Sequence, residues 1–235
     1  MEPELLAQLA DALPAPPVTG YSGWWDASDL ASIQVATGGK VATWKDRTGS
    51  GRDATQSVDA NRPRTGSWTQ NGRNVVWASG QTILSGPQPG LTAQPWTVFL
   101  VARSDWANAT QADAFTVWVS GNEWGRIYRT AADAIAIYAG GGFSSSQNWQ
   151  TGRPRVVSAV FNGASSTIGV DGRYTSAGAV PNQGSSPSWS IFSWPNGITE
   201  NWSGWVGEII FYPRQLTAIE IQRVESYLRT KWGLT

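Results

Sequence analysis

The sequence predicts an all-β domain, a sandwich or a barrel, on three observations. Short apolar or alternating runs recur along the chain from Tyr21 onward, and such runs are typical of strands. Glycine, asparagine, aspartate and proline separate these runs, as expected for tight turns. The length of 235 residues suits one large β-domain.

The N-terminal segment differs from the rest and predicts an arm. Leu5, Leu6, Leu9 and Leu13 follow helical spacing, and three prolines at positions 14 to 17 predict a stiff, extended spacer. A helix this short is marginally stable in water, so it needs a partner surface. We expect these four leucines to dock the arm, although a frayed terminus fits the same pattern. The predicted organisation is an arm over residues 1–20 and a domain over residues 21–235.

Within the domain, apolar or alternating runs predict nine strands. The run Trp96–Val101 is almost entirely apolar, which is typical of a strand that is buried on both faces. Tight turns are expected at Asp171-Gly172 and near Gly163, and 140–146 is the most flexible candidate loop. The predicted strands are Val41–Lys45, Asn74–Ala78, Trp96–Arg103, Ala114–Ser120, Ala134–Ala139, Arg155–Phe161, Thr167–Val170, Ser188–Phe192 and Trp205–Tyr212.

One helix is predicted near the C-terminus, at about 217–231. Thr217 and Glu220 have the spacing of a capping box, which marks a helix start. Ile221, Val224 and Leu228 recur on one face, which we expect to pack on the domain. Gly233 follows at the position that favours a glycine C-cap.

Two stretches resemble a known family. The first comprises WWDASD (24–29), VATWKDRTGSGRDATQ (41–56) and VVW (75–77), and the second comprises GWVGEIIFY (204–212) and KWGL (231–234). Together they resemble the concanavalin A-like jelly-roll family in its LamG-like branch, which is common in bacterial surface proteins and bacteriophage virion proteins. The resemblance implies a two-sheet antiparallel jelly-roll sandwich, here with a short N-terminal arm and one C-terminal helix.

The composition excludes several mechanistic classes. The chain contains neither cysteine nor histidine, which rules out Ser-His-Asp and Cys-His triads. Catalytic members of the superfamily that the chain resembles carry a Glu-x-Asp-x-x-Glu motif, and this spacing is absent; Glu123, Glu200 and Glu208 are isolated. We therefore predict that the protein is not an enzyme.

Charge and hydropathy argue against nucleic acid and membrane as binding partners. Lys plus Arg and Asp plus Glu number 17 each, so the net charge is zero, and no nucleic-acid footprint is expected. No apolar run approaches a membrane span. The N-terminus lacks the basic region of a signal peptide. We expect a protein that is made in a host cytoplasm and displayed on a virion surface.

Tryptophans in or beside predicted loops are candidates for sugar binding, because the apolar C–H faces of sugar rings stack on exposed indoles. Nearby asparagines can hydrogen-bond hydroxyl groups. The same indoles also suit core edges or a protein interface. The candidate carbohydrate-binding residues are Trp106, Trp124, Trp149, Trp194, Asn122, Asn148 and Asn196.

No cofactor is predicted, and calcium is a weak alternative. Asp46 and Asp53 flank a Gly-Ser-Gly turn, and two carboxylates with backbone carbonyls can hold Ca²⁺. The same residues commonly cap their own turns, and this is the favoured interpretation.

The preferred function is a non-catalytic bacteriophage virion protein, either a capsid decoration or a tail-associated component. It would dock on a capsid or tail protein through its arm and display a lectin-like jelly roll, with a bacterial surface glycan as a further possible partner. The alternative is a free carbohydrate-binding module or lectin.

Overall fold

The computed structural model describes residues 15–90, 93–105, 111–119, 122–176, 178–181, 188–194 and 199–235, without the side chains of 117–119, 122–124 and 175–176. These residues form a predominantly β fold with one C-terminal α-helix, which confirms the predicted fold class at this level. The arm leucines Leu5, Leu6, Leu9 and Leu13 lie outside the described residues. Pro16 and Val18, which precede the predicted domain start, are buried.

The described residues contain seventeen strands and one α-helix, α1 (Ala218–Trp232). Four short 3₁₀ turns lie at Leu30–Ser32, Thr37–Gly39, Asp59–Asn61 and Gly163–Ser165. The strands are β1 (Gly23–Asp26), β2 (Ile33–Ala36), β3 (Lys40–Trp44), β4 (Ala54–Thr55), β5 (Arg64–Gln70), β6 (Arg73–Ala78), β7 (Leu84–Pro87), β8 (Trp96–Ser104), β9 (Ala112–Val119), β10 (Asn122–Arg129), β11 (Ala134–Tyr138), β12 (Gly142–Asn148), β13 (Pro154–Phe161), β14 (Thr167–Val170), β15 (Arg173–Ser176), β16 (Ser188–Ile191) and β17 (Gly204–Tyr212).

Antiparallel pairing joins these strands into one network with two long runs. The first strand run is β5-β6-β17-β8-β13-β14-β15, with β1 also paired to β17. The second strand run is β2-β3-β4-β7-β16-β9-β10-β11-β12. A single residue pair, Lys40 with Arg64, connects them. The pairing therefore establishes a large antiparallel sheet but does not by itself establish the predicted two-sheet jelly roll.

The core lies where aromatic side chains of the two runs meet. Trp25 on β1 has its ring centroid 4.2 Å from that of Trp189 on β16. Phe211 on β17 approaches Phe115 on β9 at 5.1 Å. All four side chains are almost fully buried, so the hydrophobic contacts between the runs hold the domain together.

The C-terminal helix is built as the sequence predicts. The backbone N–H of Thr217 donates to Glu220 Oε2 at 2.8 Å, and the N–H of Glu220 donates to Thr217 Oγ1 at 3.3 Å, which completes the capping box. Ile221, Val224 and Leu228 are buried. Gly233 ends the helix at φ 63°, in the left-handed region that glycine tolerates.

The candidate loop at 140–146 is corrected by the structure. Most of it belongs to β12, which pairs with β11 through Ile137 and Phe143, among others. This strand was not predicted because its serines and glutamine give no alternating apolar pattern. Its backbone hydrogen bonds are made to the neighbouring strand β11. No helix in the described part of the chain combines the length and apolarity needed to cross a bilayer.

Candidate functional site

A row of large side chains crosses four neighbouring strands of the first strand run. Arg64 on β5 is the register partner of Trp77 on β6, Trp77 pairs with Trp205 on β17, and Trp205 pairs with Arg103 on β8. Directly paired residues project on the same face of a sheet. Trp205 is buried and stacks on Trp232 of α1, with ring centroids 6.4 Å apart. Trp77 remains half-buried.

Trp68 lies over Trp77 and forms an aromatic platform with it. The two ring centroids are 4.5 Å apart and the ring planes differ by 11°. Trp68 is 37% exposed, whereas most indoles of the domain are buried. The hairpin β5–β6 thus presents a flat aromatic surface, the Trp68–Trp77 pair, at the protein surface.

A pocket of about 230 Å³ adjoins this platform, and Trp77 forms part of its wall. Polar side chains of Lys40, Arg62, Arg64 and Thr82 also line it. The hydroxyl of Thr82 is buried and has no hydrogen-bond partner among the described residues. An unsatisfied buried hydroxyl costs free energy that a bound polar ligand would recover.

The cationic side chains of the pocket are held in place. Lys40 and Arg62 both form ion pairs with Asp59, and Arg62 Nε donates to the backbone carbonyl of Gln56 at 2.8 Å. The hydrogen bond from Lys40 lowers the pKa of the Asp59 carboxyl. Arg64 Nη1 donates to the carbonyl of Gly38 at 3.0 Å. The site therefore combines an exposed aromatic face with pre-positioned hydrogen-bond donors, a combination that suits a ligand with both apolar and polar faces.

Trp149, which the sequence places among the sugar-binding candidates, is fully buried. Its ring packs edge-to-face on Trp202 with centroids 4.8 Å apart. Its indole N–H points to the carbonyl of Tyr128, at 3.4 Å. Trp149 is therefore a core residue, which corrects the prediction. The neighbouring Asn148 is exposed.

Trp194 is half-buried against a charged cluster. The Arg126 guanidinium carbon lies 5.0 Å from its ring centroid, and Arg126 forms ion pairs with Asp113 and Glu200. Burial raises the pKa of Asp113 well above its ordinary value, against the opposing effect of Arg126. Trp194 thus keeps part of its ring accessible, but its nearest described partners are charged residues committed to one another.

The remaining sugar-binding candidates fall outside what the structure describes. Trp106 and Asn196 are not among the described residues. For Asn122 and Trp124 only the backbone, in β10, is described.

The weak calcium candidates are used in turn formation. Asp46 Oδ1 accepts hydrogen bonds from the backbone N–H groups of Trp24 and Thr48, at 3.1 and 3.0 Å. Asp46 Oδ2 accepts from Thr48 Oγ1, and Asp53 Oδ1 accepts from the N–H of Asp46. Across the described ranges, no three acidic side chains converge as a metal site would require.

Sequence reasoning missed Trp68 and overlooked Trp77 as a site residue. Trp68 stands in a stretch of glycine, serine, threonine and glutamine, which gives a weak strand signal. That setting could have indicated exposure, because a single tryptophan among polar residues has few nearby apolar side chains that could bury it. Trp77 lies in a predicted strand, where a tryptophan is expected to be a core residue. Only its stacking with the exposed Trp68 identifies it as a surface residue.

The isolated glutamates have structural partners where their side chains are described. Glu208 is fully buried and is bonded by the indole N–H groups of Trp24 and Trp232, at 2.8 and 2.9 Å. Glu200 accepts a hydrogen bond from Gln111 at 2.8 Å, in addition to its pairing with Arg126. The side chain of Glu123 is outside the description.

No family model matches the chain, and no curated protein matches it. Solved structures are similar in fold. Trypanosoma rangeli sialidase in complex with sialic acid superposes with a TM-score of 0.66 at 15% identity, over 94% of this chain and 35% of the sialidase. Domain 4 of AbnA, a GH43 extracellular arabinanase from Geobacillus stearothermophilus, in complex with arabinotriose, gives a TM-score of 0.64 at 11% identity, over 88% of this chain and 97% of that domain. The botulinum neurotoxin type G receptor binding domain gives 0.63 at 10% identity, over 92% and 54%.

The chain spans about a third of the length of the sialidases it matches. These likenesses contradict the prediction that the protein is not an enzyme, since chains of a sialidase and of an arabinanase contain this fold. The prediction failed because the absence of histidine and cysteine excludes only some mechanisms. Glycoside hydrolysis uses carboxylates, and sialidases use a tyrosine nucleophile; the chain has both residue types.

Proposed function

We propose that this chain is a carbohydrate-binding module whose binding surface is the Trp68–Trp77 pair with the adjoining pocket. The observation that carries the proposal is the pair itself, two parallel indoles with Trp68 open to solvent. The apolar C–H face of a sugar ring stacks on such a surface. Rigid aromatic side chains lose little conformational entropy when they bind.

The polar side chains of the pocket supply the second half of sugar recognition. Sugar hydroxyls are donors and acceptors, so they pair with fixed cationic donors and with a hydroxyl such as that of Thr82. Lys40 and Arg62 are already anchored on Asp59, which reduces the entropy lost when a ligand binds. The similarity to AbnA domain 4, which was solved with arabinotriose, supports the same ligand class.

For the fold, we propose that the two strand runs are the two facing layers of a concanavalin A-like jelly roll. The aromatic contacts between β1 and β16 and between β17 and β9 support facing layers. The single pair that joins the runs, Lys40 with Arg64, fits a link at one edge. An experimental structure with the two runs about 10 Å apart would agree with this arrangement.

The test of the binding proposal is a screen of a glycan array, followed by calorimetric titration of the best ligand. The Trp68→Ala variant should bind at least about tenfold more weakly, a loss of about 1.4 kcal/mol, because it removes the stacking surface. The melting temperature should stay close to that of the wild type, because Trp68 is partly exposed.

The matched control is Ile219→Ala, which truncates another exposed apolar side chain, on α1. This variant should bind as the wild type does. Full affinity of Trp68→Ala for a glycan that the wild type binds would refute the platform, and an array without any hit would refute the ligand class.

The bacteriophage virion function stays a prediction from the sequence. It depends on docking by Leu5, Leu6, Leu9 and Leu13, which lie outside the described residues. Carbohydrate binding, in contrast, is supported by side chains that the structure describes. The two functions are compatible with each other.

A further inference from the structure

A second and larger pocket, of about 360 Å³, lies beside the C-terminal end of α1. Four arginines contribute to its lining: Arg153 and Arg155 at the start of β13, Arg173 at the start of β15, and Arg229 on α1. Asp171, in the turn between β14 and β15, is the one acidic side chain in the lining. We call this the arginine pocket.

Two of the four arginines, Arg153 and Arg155, form hydrogen bonds with other residues of the chain. Arg155 is buried, donates to Asp171 Oδ2 at 2.6 Å and bonds the backbone carbonyl of Asn148 at 2.7 Å. Arg153 donates to Gln150 Oε1 at 2.9 Å and lies 3.9 Å from Asp171 Oδ2. The Asp171 carboxylate is therefore already shared by two guanidinium groups.

Arg173 is exposed and Arg229 is half-buried, so both guanidinium groups are accessible from the pocket. The Nε atom of Arg229 is also removed from solvent without a partner. The acid nearest to Arg229 on the helix is Glu225, one turn earlier. Its Oε1 accepts the hydroxyl of Ser158 at 2.6 Å, and the charge of Arg229 acts to lower its pKa. The buried Nε–H of Arg229 and the accessible guanidinium of Arg173 are donors that an anion in the pocket could use.

The geometry of the donors indicates the class of anion. A guanidinium presents paired N–H groups that match the two oxygens of a carboxylate or of a sulfate ester. A pocket of this volume admits one such group together with the sugar ring that carries it. We propose that the arginine pocket binds the anionic group, a carboxylate or a sulfate ester, of an acidic saccharide. This inference rests on the proposed function, whose ligand class it narrows.

A smaller pocket connects this region with the strand that bears Trp68. It has a volume of about 190 Å³, shares Arg153, Asp171 and Thr235 with the arginine pocket, and is also lined by Gln70. Gln70 lies on β5, two residues after Trp68.

The experiment is a calorimetric titration of the full chain with three probes: a uronate-containing tetrasaccharide, its carboxyl-reduced neutral counterpart, and a sulfated tetrasaccharide. The wild type should prefer at least one acidic probe to the neutral one by about tenfold or more. Arg229→Gln should remove this preference and leave binding of the neutral probe unchanged. Arg223→Gln makes the same charge change at an exposed residue of α1 and should retain the preference.

A second measurement separates failure of this inference from failure of the proposed function. Inorganic sulfate, at constant ionic strength, should raise the melting temperature of the wild type and of Arg223→Gln but not that of Arg229→Gln. If glycans bind without any acidic preference, or if both variants lose the preference equally, the arginine-pocket proposal is overturned and the platform stands. If sulfate acts only through Arg229 but no glycan binds, the pocket takes anions and the saccharide assignment is wrong.

Discussion

At the scale of single residues, the two stretches that carry the family resemblance meet in one buried charged network. Lys231 on α1 contacts Asp26 Oδ2 at 2.6 Å and Glu208 Oε2 at 2.8 Å. All three side chains are at most 3% exposed. Burial raises the pKa of Glu208, and Lys231 opposes that shift. The network ties β1, β17 and α1 together and gives the helix a defined position on the sheet.

We predict that Lys231→Met lowers the free energy of unfolding by about 3–5 kcal/mol, because it leaves the fully buried Glu208 without its ammonium partner, while Asp26 keeps its ion pair with Arg47. Urea denaturation measures this change. Lys45→Met, at a half-buried lysine, is the control and should cost far less. Equal losses in the two variants would mean that the ammonium group contributes nothing specific.

At the scale of elements, α1 was predictable and several strands were not. The capping box and the apolar spacing of the helix are local signals, and the structure places both as predicted. The turn at Asp171-Gly172 was equally readable, and both residues have positive φ, 51° and 79°. By contrast, β5 and β12 are polar strands without an alternating apolar pattern. β5 forms because it pairs with β6 and β3, and β12 because it pairs with β11.

The helix also carries two glutamates that respond to pH in opposite directions. Burial raises the pKa of Glu225, despite the hydrogen bond from Ser158. Between the ordinary glutamate pKa and this raised value, the folded state binds more protons than the unfolded state, so stability falls as pH rises. Glu225→Gln removes the titration, so its stability relative to the wild type should rise as the pH increases above the ordinary glutamate pKa.

Glu220 provides the opposite case. The hydrogen bond from Arg214, followed by the backbone hydrogen bond at Thr217, lowers its pKa to about 2. The ionised side chain therefore stabilises the fold above the ordinary pKa, and this stabilisation disappears as the pH falls toward 2. Glu220→Gln should be less stable than the wild type at pH 7 and equal to it near pH 2. Thermal melts of Glu220→Gln and Glu225→Gln across this pH range measure both effects. The account is contradicted if the stability of the two variants relative to the wild type changes in the same direction as the pH rises.

At the scale of the whole molecule, the predominantly β architecture followed from the sequence, but the site did not. Trp68 and Trp77 come together through the register of the hairpin β5–β6, which is irregular between Thr65 and Thr69. A register shift leaves no trace in residue spacing. In the same way, burial of Trp149 depends on Trp202, a residue far along the chain. Local sequence identified the indoles but could not tell which of them stay exposed.

The prediction about enzymatic activity failed at this scale as well. It rested on absent residue types and on one absent motif, whereas the fold also occurs in chains of a sialidase and an arabinanase. Fold and activity are separate properties. The described side chains support the proposed binding surface at Trp68 and Trp77.

The most direct test is to follow the indole N–H signals of the ¹⁵N-labelled protein by NMR during titration with the best glycan. The signal of Trp68 is identified by its loss in Trp68→Phe. We predict that the signals of Trp68 and Trp77 shift with ligand, whereas those of the buried Trp25, Trp44 and Trp149 stay in place. Shifts confined to other indoles, with Trp68 and Trp77 unmoved at saturation, would contradict the proposed site.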